Sequence, residues 1–292
     1  MKLLVFGADG FIGRRFVGNS SDKYQIIPVH DYIGQEFFDL TVYDNMLMII
    51  DKHDPDAVLN LAGKSYHTAS DNADIYESNV LVQLNLNKAV EELGLQPKIV
   101  FCSSSSVYES SIDPVDERAA CVPMNVYAKS KYIQERVSLS YHPDQQVVIA
   151  RLFNVIGPGQ SKDYFIPAVI GRMIDYKNEK TAAVKLKTLN ATRDFIFIDD
   201  VCSAISTLID GGHGGEIYNV CCGRGVPLDE ILELLKKMLG LSELALEVQE
   251  DHVEEGINYQ AGSNRKMLDL GWSPSYDIER SLKEIIRVEY GK

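Results

Sequence analysis

The chain has 292 residues, a formal net charge of −13 and an ordinary globular composition, 45% apolar and 24% charged. Such an acidic balance argues against nucleic acid or an anionic membrane surface as a partner, although a local basic site can still hold an anionic substrate. The length suffices for one large domain or two smaller ones, and no apolar run approaches the ~18 residues of a membrane span.

The chain opens with an apolar strand, Lys2–Phe6, and this start leaves no room for a cleavable leader. Gly7-Ala-Asp-Gly10-Phe-Ile-Gly13 follows and leads into a helix from Phe11 to about Gly18. Glycines between a strand and a helix let the backbone approach a pyrophosphate, and the helix start offers unpaired N–H groups. The spacing is G-x-x-G-x-x-G rather than the commoner G-x-G-x-x-G. Residues 24–30 read as the second strand, with Asp31 at its end. An acid there can hold the adenosine ribose and favours NAD over NADP. A surface-turn aspartate is the alternative, and Arg14 or Arg15 beside the glycine loop could pair with a 2′-phosphate.

Thr41-x-x-Asp44 resembles a capping box opening a helix with Met46, Leu47, Ile49 and Ile50 on its apolar side. A strand over 57–61 ends in Ala62-Gly63-Lys64-Ser65, small enough to let a cofactor lie across the sheet edge. A long helix over 74–93 closes at Gly94, and a strand over 98–102 delivers Ser103, Ser104, Ser105 and Ser106. A helix from 126 to about 141 carries Tyr127 and Lys131, and Gln146–Leu152 is another apolar strand. Strand and helix alternate throughout these 150 or so residues, which predicts an α/β fold with a doubly wound parallel sheet.

The texture then changes. A Gly157-to-Gln160 loop precedes a helix over 165–176, a short strand over 184–188, and a strand from Thr192 feeding a helix to about Ile209. A strand over 217–221, a helix over 227–239 and a last helix over about 278–288 follow. The expected division is residues 1–152 plus about 190–215 as a cofactor-binding domain, with about 153–189 and 216–292 as a smaller mixed α/β substrate domain. The five cysteines, Cys102, Cys121, Cys202, Cys221 and Cys222, show no Cys-x-x-Cys spacing. They point to free thiols in a reducing cytoplasm and to no metal site.

Tyr127 and Lys131 are four apart and share one helix face. An ammonium near a phenol favours the phenolate, and so brings proton exchange toward neutral pH. A serine at the neighbouring strand end can hold the substrate oxygen that gains or loses the proton. Taken alone, the pair also fits an amphipathic helix with an exposed lysine and a half-buried tyrosine.

Taken together and in order, these residues resemble the extended short-chain dehydrogenase/reductases that act on nucleotide sugars, the NAD-dependent epimerase/dehydratase family. The resemblance rests on Gly7-x-x-Gly10-x-x-Gly13, Asp31, Asp39-Leu40, Leu61-Ala62-Gly63, Asn79, Ser103-Ser104, Tyr127-x-x-x-Lys131, Phe153-Asn154, Arg193-Asp194-Phe195 and Gly271-Trp272-x-Pro274. Within that branch, the run from Arg151 to Ser161, with Tyr218-Asn219-Val220-Cys221-x-Gly223 and Gly262 to Arg265, is similar to the GDP-4-keto-6-deoxy-mannose reductases.

The resemblance implies roles. Gly7, Gly10, Phe11, Ile12 and Gly13 would meet the pyrophosphate, Asp31 the ribose, and Asp39 and Leu40 the adenine. Leu61, Ala62, Gly63 and Ser65 would line the cofactor trough, with Phe153 near the nicotinamide. Tyr127 would move the proton, Lys131 would lower its pKa, and Ser104 would hold the sugar oxygen. Ser105, Asn154 and Arg193 would face the substrate, Arg193 and Asn154 at its pyrophosphate; an ion pair of Arg193 with Asp199 or Asp200 is the alternative. Ser105 and Ser106 stand where the dehydratases of this branch carry an acid pair, which disfavours dehydration. Phe6 and Glu109 also depart from the family's usual Thr and Gly.

The expected activity is NAD(P)H-dependent reduction of the C4 ketone of a GDP-linked or other nucleotide 4-keto-6-deoxy-hexose. A 4-epimerase that retains its NAD is the second reading, and a silent sensing or scaffold protein the third. A homodimer is expected through the helices near residues 78–93 and 126–140, using Val82, Leu86, Val90, Ile133 and Val137 unless these pack on the sheet.

Overall fold

The computed structural model describes residues 1–30, 32–33, 36–65, 71–186, 190–248 and 259–291. Asp31, and residues 187–188 of the strand expected over 184–188, lie outside the described residues. The elements of the first half are β1 (Lys2–Phe6), α1 (Phe11–Ser20), β2 (Gln25–Val29), β3 (Tyr32–Ile33), β4 (Glu36–Phe37), α2 (Tyr43–His53), β5 (Ala57–Asn60), α3 (Asn72–Tyr76), α4 (Val82–Glu92), β6 (Lys98–Ser104), α5 (Val126–Ser140) and β7 (Gln146–Leu152). The second half comprises β8 (Asn154–Ile156), α6 (Phe165–Lys177), β9 (Val184–Leu186), β10 (Thr192–Arg193), β11 (Phe195–Phe197), α7 (Ile198–Gly211), β12 (Ile217–Val220), β13 (Val226–Pro227), α8 (Leu228–Leu239), β14 (Leu246–Val248), β15 (Tyr259–Gln260), α9 (Arg265–Asp269) and α10 (Ile278–Tyr290).

Six strands form one parallel sheet in the order β12-β7-β6-β5-β1-β2. The buried β-branched and aliphatic runs of β1, β5, β6 and β7 suit strands covered on both faces. The chain passes from β1 outward to β2 and returns to β5 on the other side of β1. The crevice at the carboxyl ends of β1 and β5 is thus a topological switch point, where doubly wound sheets bind ligands.

Each face has its own core. On one face Phe16 of α1 and Ile205 and Leu208 of α7 pack with Leu3, Val5 and Val100, and the same cluster continues into α6, α8 and α10 through Ile170, Leu232 and Ile285. On the other, Met46 and Ile50 of α2 meet Leu86 and Val90 of α4 over Leu4, Phe6 and Ile99. Val82, Leu86 and Val90 therefore face the sheet, whereas Leu84 and Ile133 are the outward apolar side chains of α4 and α5.

Two local readings need correction. Thr41 does not cap α2. The Asp39 carboxylate instead accepts from the Thr41 N–H and hydroxyl at 2.8 and 2.7 Å, and the helix starts at Tyr43. The long helix expected over 74–93 is α3 and α4 joined by a π-helical turn, Glu77–Leu81. Such turns recur at functional sites.

The halves are tied by polar contacts to α7. Arg15 of α1 forms a two-pronged pair with Asp199 at 2.5 and 2.8 Å, which commits this arginine to α7 rather than to a 2′-phosphate. Asp200 accepts from the Ser275 and Tyr276 N–H groups at 2.9 and 3.0 Å, and Trp272 Nε1 donates to Ser203 Oγ at 2.8 Å. With Asp199 held by Arg15 and Asn19, the ion-pair alternative for Arg193 finds its two acids engaged elsewhere.

Candidate active site

The glycine loop is shaped by what a side chain would strike. Gly7 has φ +74°, and a Cβ on it would lie 2.6 Å from the carbonyl carbon of Leu61; on Gly13 it would lie 2.1 Å from the Gly7 oxygen. The bare backbone thus closes into a cradle at the start of α1. The N-cap, Gly10, supplies no side-chain cap, so the first-turn N–H groups remain available for an anion. At the end of β5, Gly63 has φ +149° and abuts Asn79, whose amide holds the following residue from both sides. Asn79 Oδ1 accepts from the Lys64 N–H at 2.9 Å, and Nδ2 donates to the Lys64 carbonyl at 3.1 Å and to Ser130 Oγ at 2.9 Å. Asn79 sits in the π-helical turn and is fully buried. It fixes the β5 loop against α5.

The loops enclose a cavity of about 590 Å³ lined by Gly7, Gly10, Phe11, Ile12, Gly13, Leu61, Gly63, Ser65, Ser104, Ser105, Tyr127, Lys131, Phe153 and Asn154. These expected residues, from five separate loops and elements, come together. Ala62 lies behind the trough, its N–H on Asn60 Oδ1 at 3.0 Å. Asp39, Leu40 and Arg193 do not line the cavity. Asp39 shapes the turn before α2, and Arg193 lies half-buried on β10 with one guanidinium nitrogen donating to the Thr192 carbonyl at 3.0 Å. Burial lowers its pKa.

At the floor, Tyr127 and Ser104 line the same cavity, and the Ser104 hydroxyl donates to Ser106 Oγ at 3.1 Å. Burial pushes the Tyr127 phenol up to about 12, and Ser104 pulls it partly back. Ser104 accepts from the Ser106 N–H at 3.2 Å, which steadies the hydroxyl. Lys131 donates to the Cys102 carbonyl at 2.9 Å and to Gln134 Oε1 at 3.0 Å. Burial brings its ammonium down to about 8, against the raising influence of Cys102 and Glu135. Ser104 acts downward on Tyr127, and Tyr164 and Cys102 act upward. A half-buried phenol so far desolvated stays protonated at neutral pH and is suited to donating a proton.

Several lining residues escaped the sequence reading. Tyr164, the N-cap of α6, donates to Ser65 Oγ at 3.0 Å and lies close enough to Tyr127 to raise its pKa. Gln160 donates to the Val155 carbonyl at 2.7 Å, while its Oε1 is buried without a hydrogen-bond partner among the described residues. The Gly157-to-Gln160 loop was visible as a loop, but nothing in its composition aimed it at the cavity.

A glycine cradle at a helix start, an acceptor wanting a donor, and a switch-point crevice all fit a dinucleotide. Fold and site define a doubly wound dinucleotide-binding protein with a Ser-Tyr-Lys centre. Residues 3–221 match the model of the NAD dependent epimerase/dehydratase family, and the chain belongs to that family. It is 32% identical to the GDP-6-deoxy-D-mannose reductase of Pseudomonas aeruginosa, over 98% of this chain and 96% of that protein. It is 26% identical to the GDP-6-deoxy-D-talose 4-dehydrogenase of Aggregatibacter actinomycetemcomitans, over 92% and 91%. Among solved structures, RMD from Pseudomonas aeruginosa complexed with NADPH superposes with a TM-score of 0.86 at 29% identity, covering 98% of this chain and 97% of that one.

Proposed function

We propose that this chain is a nucleotide-sugar 4-keto reductase that reduces the C4 ketone of a nucleotide 4-keto-6-deoxy-hexose, GDP-linked by preference. The observation that carries the reading is the convergence of Ser104, Tyr127 and Lys131 with the glycine loop on one cavity, burial holding the phenol protonated. Two GDP-deoxysugar enzymes among the relatives support the choice of substrate class.

The cofactor is a nicotinamide dinucleotide, held at its pyrophosphate by Gly7, Gly10, Gly13 and the N–H groups of Phe11 and Ile12. Leu61, Gly63 and Ser65 would flank it with Ala62 behind them, and Phe153 would lie toward its nicotinamide end. When bound, the reduced nicotinamide supplies the hydride. Ser104 donates to the ketone oxygen and orients it. Tyr127 gives its proton to that oxygen as negative charge develops there. Lys131, gripped by Cys102 and Gln134, stabilises the phenolate left behind. Ser105, Asn154 and Arg193 are assigned to the substrate, whose remote nucleotide contributes the binding energy that positions the ketone. NAD(H) is favoured through Asp31; NADP(H) is supported by the NADPH-bound neighbour and by Arg14, which lies exposed beside Asp9.

In this reading residues 1–152 and about 190–215 form the cofactor domain, and about 153–189 with 216–292 the substrate domain. The assembly is a homodimer through α4 and α5, with Leu84 and Ile133 at the contact, and the setting is the cytoplasm. No described helix is long and apolar enough to cross a membrane.

The test is loss of reduced-nicotinamide absorbance with NADH or NADPH and a panel of GDP-, dTDP-, UDP- and CDP-4-keto-6-deoxy sugars. Substrate-dependent loss with one nucleotide series establishes the reductase. No loss with any member, together with co-purified NAD, would replace it with the 4-epimerase reading.

A further inference from the structure

Tyr127, Lys131 and Glu135 follow one another at four-residue intervals along α5 and so lie on one face over successive turns. All three face the last residues of β6, and the last two are bonded to them. Tyr127 lines the cavity with Ser104, Lys131 donates to the Cys102 carbonyl at 2.9 Å, and Glu135 Oε1 accepts from Ser103 Oγ at 2.6 Å. The first two are the reacting pair of the proposed reaction. The third touches neither cofactor nor substrate pocket, yet it is the most firmly held.

Glu135 is completely buried and forms a two-pronged pair with Arg151 of β7, Nε to Oε1 at 2.8 Å and Nη2 to Oε2 at 2.6 Å. Arg151 is buried as well, lies 4.7 Å from the centre of the Tyr108 ring, and donates to the Glu117 carbonyl at 3.4 Å. Tyr108 in turn donates to Asn219 Oδ1 at 2.6 Å, and the Asn219 N–H donates to Glu117 Oε1 at 2.8 Å. One carboxylate thus joins α5, β6, β7 and, through Tyr108, β12. A buried pair of this kind is weak support for stability, because desolvation offsets much of the attraction. Its fixed geometry has another use here.

We propose that Glu135 is a positioning residue for the reaction. Through Ser103 and Arg151 it sets the rotation of α5 against β6, so that Tyr127 meets Ser104 and Lys131 meets Cys102. The assignment rests on the reductase reading of the same site. Other ionisable groups facing the cluster are the thiols of Cys102 and Cys121, the phenols of Tyr108 and Tyr127, and the Glu117 carboxylate. Of these and the Arg151 cation, Glu135 is the anion that, with Cys102, raises Lys131.

Glu135→Gln keeps the shape and one acceptor and removes the charge. The expected result in the full chain is a fall in kcat on the order of 10²-fold, with KM and cofactor Kd held. Lys131 should also titrate at lower pH, read by NMR of carbon-labelled lysine side chains with the signal identified through Lys131→Arg. The double variant Glu135→Leu with Arg151→Met removes the stranded cation as well. It should recover thermal stability without recovering kcat. Recovery of both together, or a Lys131 titration unmoved by Glu135→Gln, would reduce the cluster to packing and overturn the proposal. The titration needs no substrate. A wild type that reduces none of the sugars would therefore defeat the reductase reading alone, and the NMR result would still decide the role of Glu135.

Discussion

Gly13 and Gly18 lie on the same helix and offer a matched pair of substitutions. At Gly13 an alanine Cβ would sit 2.1 Å from the Gly7 oxygen and 2.8 Å from the Ala8 Cα, where ordinary contact begins at 3.4 Å. These are backbone atoms, so no side chain can rotate away. The Gly7 carbonyl also accepts the Gly10 N–H at 3.1 Å, and a Cβ on Gly7 itself would strike Leu61, so the loop has no room to withdraw toward β5. The start of α1 must therefore move off the loop by ~1 Å or more, carrying its N–H groups away from the pyrophosphate. Losing one charge-assisted hydrogen bond of about 1.5–3 kcal/mol corresponds to roughly 10- to 100-fold in cofactor Kd. At Gly18 nothing lies within 4 Å, and alanine in the helix should stabilise the chain by about 0.5–1 kcal/mol without touching Kd. Fluorescence titration of both variants with NADH and NADPH, alongside thermal melts, measures the contrast. A Gly13→Ala protein that binds either cofactor as tightly as wild type would refute the assignment of the loop.

Two further outcomes follow from the described geometry. The rate of reduction should stay level through neutral pH and fall above about pH 8, because Lys131 there loses the charge that stabilises the phenolate, while Tyr127, at about 12, remains protonated; a pH–rate profile that stays flat well beyond Lys131's titration would contradict that role. Asp200→Ala should strand the Ser275 and Tyr276 N–H groups and cost about 1–3 kcal/mol in urea unfolding. Glu279→Ala, on the exposed face of α10, should change stability by less than about 0.5 kcal/mol, and equal effects of the two would remove the tether from the account.

What could be read in advance was what depends on local pattern. Buried strands such as the one read over 98–102 declare themselves by unbroken apolar runs, although the structure carries it on through Ser104, and the glycine loop by its place between strand and helix. The meeting of Ser104 with Tyr127 came from family order, since residues 23 apart carry no local sign of contact. Glu135 was invisible for a physical reason: a charged residue in a helix reads as a solvated face until a buried arginine on another strand is seen opposite it. Val82, Leu86 and Val90 could have faced either a partner or the sheet, because an apolar stripe does not say which surface covers it. The π-helical turn that aims Asn79 at Lys64 likewise has no sequence period of its own, and the extra residue only shifts the stripe. The loop bearing Gln160 and Tyr164 is polar and glycine-rich, the composition of any surface connection, and only the fold brings it over the cavity.

The central claim is that Tyr127 delivers the proton to the reduced carbonyl. Single-turnover reduction of the preferred 4-keto sugar by Tyr127→Phe, with cofactor affinity measured in the same preparation, tests it most directly. The account predicts hydride transfer slowed by about 10²–10⁴-fold with cofactor Kd unchanged, the usual worth of a positioned general acid. Transfer at the wild-type rate would contradict it and return the proton to another group in the cavity.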